Sequence, residues 1–226
     1  MKNYPGNKFA GSLYKKIINE IPRCDVFREL FAGSAAVTTH LTAPDLTHIN
    51  ELSEKVYQEL RFEFPESIVT NDCAISIINK LPGTTDRTEC IHLDPPYRLH
   101  TRHSSMQMLY DHEMTDEQHE QLLSAVLAKE KSYLFIIIHP YDEMYNTRLA
   151  HWRQVKIKVR YRNKTSIEVL YMNYQSPDVL QDYRHLGKGN HDRQRIKRKG
   201  DRMIAKLLAL PAVEKNYILE RLKQIQ

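Results

Sequence analysis

Residues 91–100, IHLDPPYRLH, place Asp94, Pro95, Pro96 and Tyr97 directly after a short apolar run. A conjugated exocyclic amine is a poor nucleophile because its lone pair is delocalised into the ring. A carboxylate and a backbone carbonyl that accept its two hydrogens would pull the nitrogen toward tetrahedral geometry and free that pair. Paired prolines fix φ and so fix where the carbonyl points. An adjacent aromatic ring can stack on a base, and a base in a duplex must first be flipped out of its stack. Asp-Pro-Pro-Tyr contains every part of that device.

Three other strand ends carry unusual residues. FRELFAGSAA (27–36) ends a strand in a Gly turn, where backbone can approach a ligand and a helix N-terminus offers free N–H groups. Glu51 follows the run LTHIN, where an acid can take the two hydroxyls of a ribose or serve as an acid at a helix start. Asp72 follows SIVT and has the same two readings. Gly turn, acid and acid on three consecutive strand ends point to a nucleoside-containing cofactor. No Gly-Lys-Ser/Thr phosphate loop accompanies them.

The elements that would position these residues alternate. Helical spacing covers 8–21, 53–62 and the cysteine-led CAISIINKL, with strands at 25–33, 46–50, 67–72 and 89–94 between them. Thr115 and Gln118 form a capping box ahead of DEQHEQLLSAVLAKE. SYLFIII (132–138) is the most strand-like run, and 152–161 with 165–174 alternate as a hairpin pair. Alternating strands and helices predict a mostly parallel sheet covered on both faces, with an antiparallel hairpin at one edge. Ligands bind such sheets beyond the carboxyl ends of the strands, at the switch point.

Composition supports one α/β domain with an appendage. The chain has 226 residues, 41% of them hydrophobic, and its longest apolar run is far short of the roughly 20 residues that span a bilayer. No apolar leader opens it, and three scattered cysteines (Cys24, Cys73, Cys90) suit a reducing cytoplasm and no metal site. The net charge of +5 is uneven. Residues 188–202 hold seven Lys/Arg against two Asp, and residues 151–164 hold six Lys/Arg and no acid. Two basic strips on an otherwise acidic chain imply a polyanionic partner.

Taken together the motifs resemble the Dam-type adenine-specific DNA methyltransferases, in their short phage-like form. The resemblance covers about residues 4–174 and rests on YPGNKFAG, RELFAGSAA, INEL, TNDC and above all DPPY. It implies a Rossmann-like, seven-stranded methyltransferase fold over 1–174 and a basic helical tail over 175–226. The implied cofactor is S-adenosyl-L-methionine, bound by Tyr4, Lys8, Glu29, Phe31, Gly33, Ser34, Asn50, Glu51, Asp72, Cys73 and Asp94. Catalysis would rest on Asp94, Pro95, Pro96 and Tyr97, acting on adenine N6 in double-stranded DNA without a metal.

Three departures stand out. Ala35 replaces the usual second Gly of the loop, and His139-Pro140 stands where Ser-Gly is more usual. Asp72 and Asp94 are 22 positions apart, which leaves no room for the recognition domain many relatives insert there. DNA reading is therefore expected from the loop after DPPY (Arg98, His100, Arg102, His103, Tyr110). A phosphate clamp is expected in the tail (Arg193, Arg195, Lys197, Arg198, Lys199). N4-cytosine methylation and a DNA-binding relic without cofactor remain as alternatives. A homodimer or a restriction partner is left open.

Overall fold

The computed structural model describes residues 13–101, 112–161 and 164–224. It divides into two compact units, residues 1–183 and 184–226. The first therefore runs past the expected boundary at 174. Backbone bonds from Arg23 N to Val179 O and Gln181 N to Ile21 O, with Thr42 N donating to Asp182, hold the extra residues to it.

The first unit is a single seven-stranded sheet in the order β3-β2-β1-β4-β5-β7-β6. Its strands are β1 (Val26–Glu29), β2 (Leu46–Asn50), β3 (Ile68–Thr70), β4 (Glu89–Leu93), β5 (Leu134–Pro140), β6 (Arg153–Tyr161) and β7 (Lys164–Met172). The first five are mutually parallel, and β7 runs antiparallel between β5 and β6. This is the mostly parallel, doubly wound α/β sheet with an antiparallel edge hairpin that the sequence predicts. The chain order reverses between β1 and β4, which makes their carboxyl ends the switch point.

Helices α1 (Leu13–Ile18), α2 (Ala36–His40), α3 (Glu54–Glu63), α4 (Ala74–Lys80), α5 (Asp116–Lys129) and α6 (Glu143–Arg148) cover the sheet. Alternation along the central strands feeds two cores. Phe27, Cys90, Ile136, Ile138 and Leu170 pack with α1 and α2, whereas Ile91, Leu93, Phe135, Ile137 and Val169 pack with α4, α5 and α6. Helix α5 begins where the capping box places it, with Gln118 N donating to Thr115 Oγ1 and Thr115 N to Gln118 Oε1.

The second unit holds α7 (Asn190–Leu208) and α8 (Ala212–Lys223). The sequence predicts one helical tail. Pro211 divides it, because its ring removes the N–H that would continue α7 while its fixed φ suits a helix start. Among the described residues no helix is long and apolar enough to cross a membrane, and no cluster of His, Cys, Asp or Glu could hold a metal ion.

Candidate functional site

Glu29 and His92 are register partners on neighbouring parallel strands. The loops that leave β1 and β4 therefore emerge side by side, one strand spacing (about 4.8 Å) apart. One loop carries Gly33 and the other Asp94.

The first loop is a tight, polar turn. Gly33 (φ 51°) and Ala35 (φ 47°) both adopt the left-handed region, and Ala35 N closes the turn on Ala32 O at 2.7 Å. Ala35 pays for its Cβ with about 1–2 kcal/mol of local strain, which a Gly would avoid. The buried Glu51 carboxylate locks the turn to the next strand end. Its Oε2 accepts from Gly33 N at 2.8 Å and its Oε1 from Ser53 N at 2.9 Å. Each oxygen keeps a further lone pair for a ligand hydroxyl. Asp72, its side chain 46% exposed, accepts from Cys73 N at 2.7 Å and faces Lys80 at 3.4 Å. Ser34 is buried, Phe31 is partly buried against α4 and α5's core, and the Cys73 side chain is exposed.

Two residues expected among the ligand contacts do something else. The Asn50 amide is consumed by four bonds: Nδ2 donates to Leu30 O and Asp72 O, and Oδ1 accepts from Thr70 Oγ1 and Asp72 N. It ties the ends of β1, β2 and β3 together and so positions the loop. Glu29 is buried, and its Oε2 accepts from both Thr38 N (2.9 Å) and Thr38 Oγ1 (2.5 Å), fastening α2 to β1. Both side chains brace the backbone around the site. A relay behind them was not legible from spacing: Arg28 pairs with Glu89 and donates to His48 Nδ1, and His48 Nε2 donates to Thr70 Oγ1. Burial, then the Arg28 charge, push His48 down to about 4, so it works as a neutral donor–acceptor.

The second loop is held from behind by the far half of the sheet. Pro95 is buried and Asp94 is partly exposed. The Tyr97 hydroxyl donates to the buried Glu168 on β7 at 2.7 Å, and its ring meets His139 edge-on at 5.3 Å. His139 stacks on Tyr145 of α6 at 4.2 Å. Its Nδ1 donates to Pro140 O and its Nε2 accepts the backbone N–H of Arg98 at 3.3 Å. Burial first, offset in part by the Pro140 bond, pushes His139 down to about 3 and keeps it neutral. The His-Pro departure thus supplies the acceptor that pins the residue after the DPPY motif. Glu168 was missed in the sequence, although a lone acid between Ile167 and Val169 in a strand of otherwise apolar alternation could have marked it.

Arg98 departs most from expectation. Its guanidinium meets Asp116 through Nε at 2.9 Å and Nη2 at 2.8 Å, and reaches both oxygens of Asp142 through Nη1 at 3.0 Å. The fork is filled, and in this structure the arginine clamps the start of α5 to the start of α6. Asp142 is 2% exposed, caps α6 through Met144 N and Tyr145 N, and also accepts from His100 at 3.0 Å. Burial would raise the Asp142 carboxyl, but the Arg98 bonds and the cap hold it below the usual carboxylate range.

Tyr4, Lys8, Arg102, His103 and Tyr110 lie outside the described residues. In the tail, Arg195 pairs with Asp192 at 2.7 Å, Arg193 donates to Gly187 O, and Lys197, Arg198 and Lys199 are exposed on α7.

No protein-family model matches the chain, and no curated protein matches it. Among solved structures it is similar to a methyltransferase candidate of Escherichia coli, yhhF, at 15% identity and TM-score 0.48, over 76% of this chain and 92% of that one. It is similar also to an RNA methyltransferase candidate of Pyrococcus horikoshii, PH1948, at 13% identity and TM-score 0.45, over 76% and 86%. A third is the 23S rRNA methyltransferase ErmE, at 10% identity and TM-score 0.48, over 81% and 74%. These likenesses carry no argument about substrate, and the fold rests on the strand order and register given above.

Proposed function

We propose that the chain is an S-adenosyl-L-methionine-dependent DNA methyltransferase acting on the exocyclic N6 amine of adenine. The observation that carries this reading is the rigid seating of Asp94-Pro95-Pro96-Tyr97 beside the Gly33–Glu51 turn. A loop that only linked β4 to α5 would need no buried acceptor for its tyrosine and none for the N–H that follows.

The first loop fits the cofactor by the chemistry of its donors and acceptors. Glu51 offers acceptor capacity for ribose hydroxyls, and Asp72 a partly exposed carboxylate for an amino or hydroxyl group. When bound, the cofactor supplies an electrophilic sulfonium methyl. The chain's own residues do the rest. Asp94 and the Pro95 carbonyl accept the hydrogens of the target amine, concentrating its lone pair on nitrogen. Tyr97, its hydroxyl anchored on Glu168, presents a ring of fixed tilt on which the flipped base stacks. The product proton leaves through Asp94 to solvent. Holding amine and methyl donor in one geometry is the larger part of such catalysis, with effective molarities on the order of 10^5 M or more. Ala35 N closes the turn on Ala32 O despite its Cβ, which weighs against the relic alternative.

The test is to incubate the full chain with labelled S-adenosyl-L-methionine and plasmid DNA, digest the DNA, and identify nucleosides by mass. N6-methyladenine is expected, and Asp94→Ala should lower its yield by on the order of a thousandfold, the scale of losing one group aimed at transition-state charge. N4-methylcytosine, or wild-type yield from the mutant, would sink the reading.

A further inference from the structure

The basic strip at residues 151–164 has no part in the site described so far. Its described side chains sort cleanly by alternation. Val155, Ile157 and Val159 of β6 pack into the core beneath α1, and Lys156 and Lys158 stand exposed on the opposite face. That opposite face also carries His139, one of the catalytic loop's two anchors, whereas Glu168 lies in register with Ile157 on the α1 face. Lys156 pairs in register with Val169, and Val169 with His139, so one row across the sheet runs from His139 to Lys156. Two strand spacings, about 10 Å, separate the ends of that row. The next row is Lys158 with Ile167, whose carbonyl accepts from Tyr141 N at 3.2 Å. Tyr141 follows β5 directly, is 53% exposed, and its ring lies 5.6 Å below Lys156 Nζ. Ile167, 43% exposed, fills the space between.

These two ammonium groups differ from the paired cations of the unit, and from its other unpaired lysines by the exposed ring beside them. Arg28, Lys80, Arg98, Arg148 and Arg153 each meet a carboxylate within 4 Å. Lys156 and Lys158 meet none among the described residues. An ammonium over an exposed aromatic ring, with a second one a row away on the face that carries His139, fits a polyphosphate strand better than a protein partner.

We propose that Lys156, Lys158 and Tyr141 form a docking surface for the phosphate backbone of duplex DNA, beside the position of the flipped base. The proposal rests on the function proposed above and adds a second contact region, on the sheet edge, to the tail. Lysines on an edge strand also serve to block strand-to-strand association. The two roles separate in experiment.

Binding of the full chain to a fluorescent duplex is measured across 50–200 mM salt for the wild type and for Lys156→Gln/Lys158→Gln. A charge-matched control, Lys55→Gln/Lys131→Gln, alters exposed lysines on α3 and at the start of β5's approach. Loss of two phosphate contacts should flatten the log–log salt slope by about 1.8, whatever the sequence of the duplex. The DNA KM should rise while kcat at saturating DNA stays near wild type, and Tyr141→Ala should weaken binding without changing the slope. A lysine variant whose slope matches the control, or one whose only change is self-association in sedimentation, overturns the docking surface. Adenine methylation by the wild type, scored in parallel, then shows whether the enzyme reading survives without it. The flattened slope with no adenine methylation would instead retain the surface and overturn the enzyme reading. A wild type that binds structured RNA and no duplex overturns the duplex commitment.

Discussion

Replacing Arg98 by Met tests whether this residue is a clamp or a reader. Asp142 would keep two backbone donors and the largely exposed His100, but would lose its only buried countercharge among the described residues. Breaking a buried pair from one side costs about 3–5 kcal/mol, and the partners left to Asp142 argue for the lower end. The Asp116 arm adds little, because that carboxylate is solvent-exposed. A loss of about 3 kcal/mol in a chain of this length lowers Tm by roughly 6–12 °C. Adding Asp142→Asn removes the orphaned charge and keeps an acceptor for the α6 cap. The double mutant should therefore be far from additive, with a coupling of roughly 0.5–3 kcal/mol. Thermal denaturation of the two single variants and the double gives the cycle, and salt titration of duplex binding gives the second readout. The clamp predicts reduced methyl transfer from a loosened loop with an unchanged salt slope. An Arg98→Met protein of wild-type Tm whose slope falls by about 0.9, or whose discrimination relaxes by about 1–3 kcal/mol at one base pair, would show that the arginine contacts DNA after all.

Acid should destabilise the fold through two neutral imidazoles. His48 and His139 have folded values of about 4 and about 3 against an ordinary 6.5, so their contribution is complete above pH 6.5 and is lost as pH falls toward those values. At 1.36 kcal/mol per unit, His48 alone accounts for up to about 3 kcal/mol, and urea midpoints that stay flat from pH 6.5 to 4 would refute this. Ala35→Gly should stabilise by about 1 kcal/mol, since relief of the left-handed strain outweighs the added freedom of the unfolded chain. A fall in Tm would mean that the Ala35 methyl, buried under α3 with Val56 and Leu60, contributes more by packing than it costs by strain.

The sheet and the motif positions were legible because their causes are local. Period-two alternation marked the β6–β7 hairpin, Thr115 and Gln118 announced α5 three residues apart, and the prolines stopped β4 where Asp94 begins the loop. The identity of Arg98's partners was not local. Asp116 lies 18 residues downstream and Asp142 lies 44 downstream, and an arginine in a basic loop looks the same in sequence whether it meets two acids or a phosphate. The bracing bonds of Asn50 and Glu29 were hidden for a related reason. A motif fixes that a polar residue is required at a strand end without saying whether the loop or the ligand requires it. Pro211, by contrast, was a local sign of two tail helices that the run of leucines obscured.

What these non-local contacts share is their place beneath the loops. Asn50 braces the turn that holds Gly33, while Glu168, His139 and Asp142 brace the loop that begins at Asp94. The two braced loops are joined through the β1–β4 register, in which Leu30 N donates to His92 O at 3.2 Å. On the proposed function, the separation between methyl donor and amine would be set by backbone pairing at the centre of the sheet, inside a close-packed interior of low compressibility. A transfer that depends on alignment within a fraction of an ångström gains more from that arrangement than from any single side chain at the surface of the site.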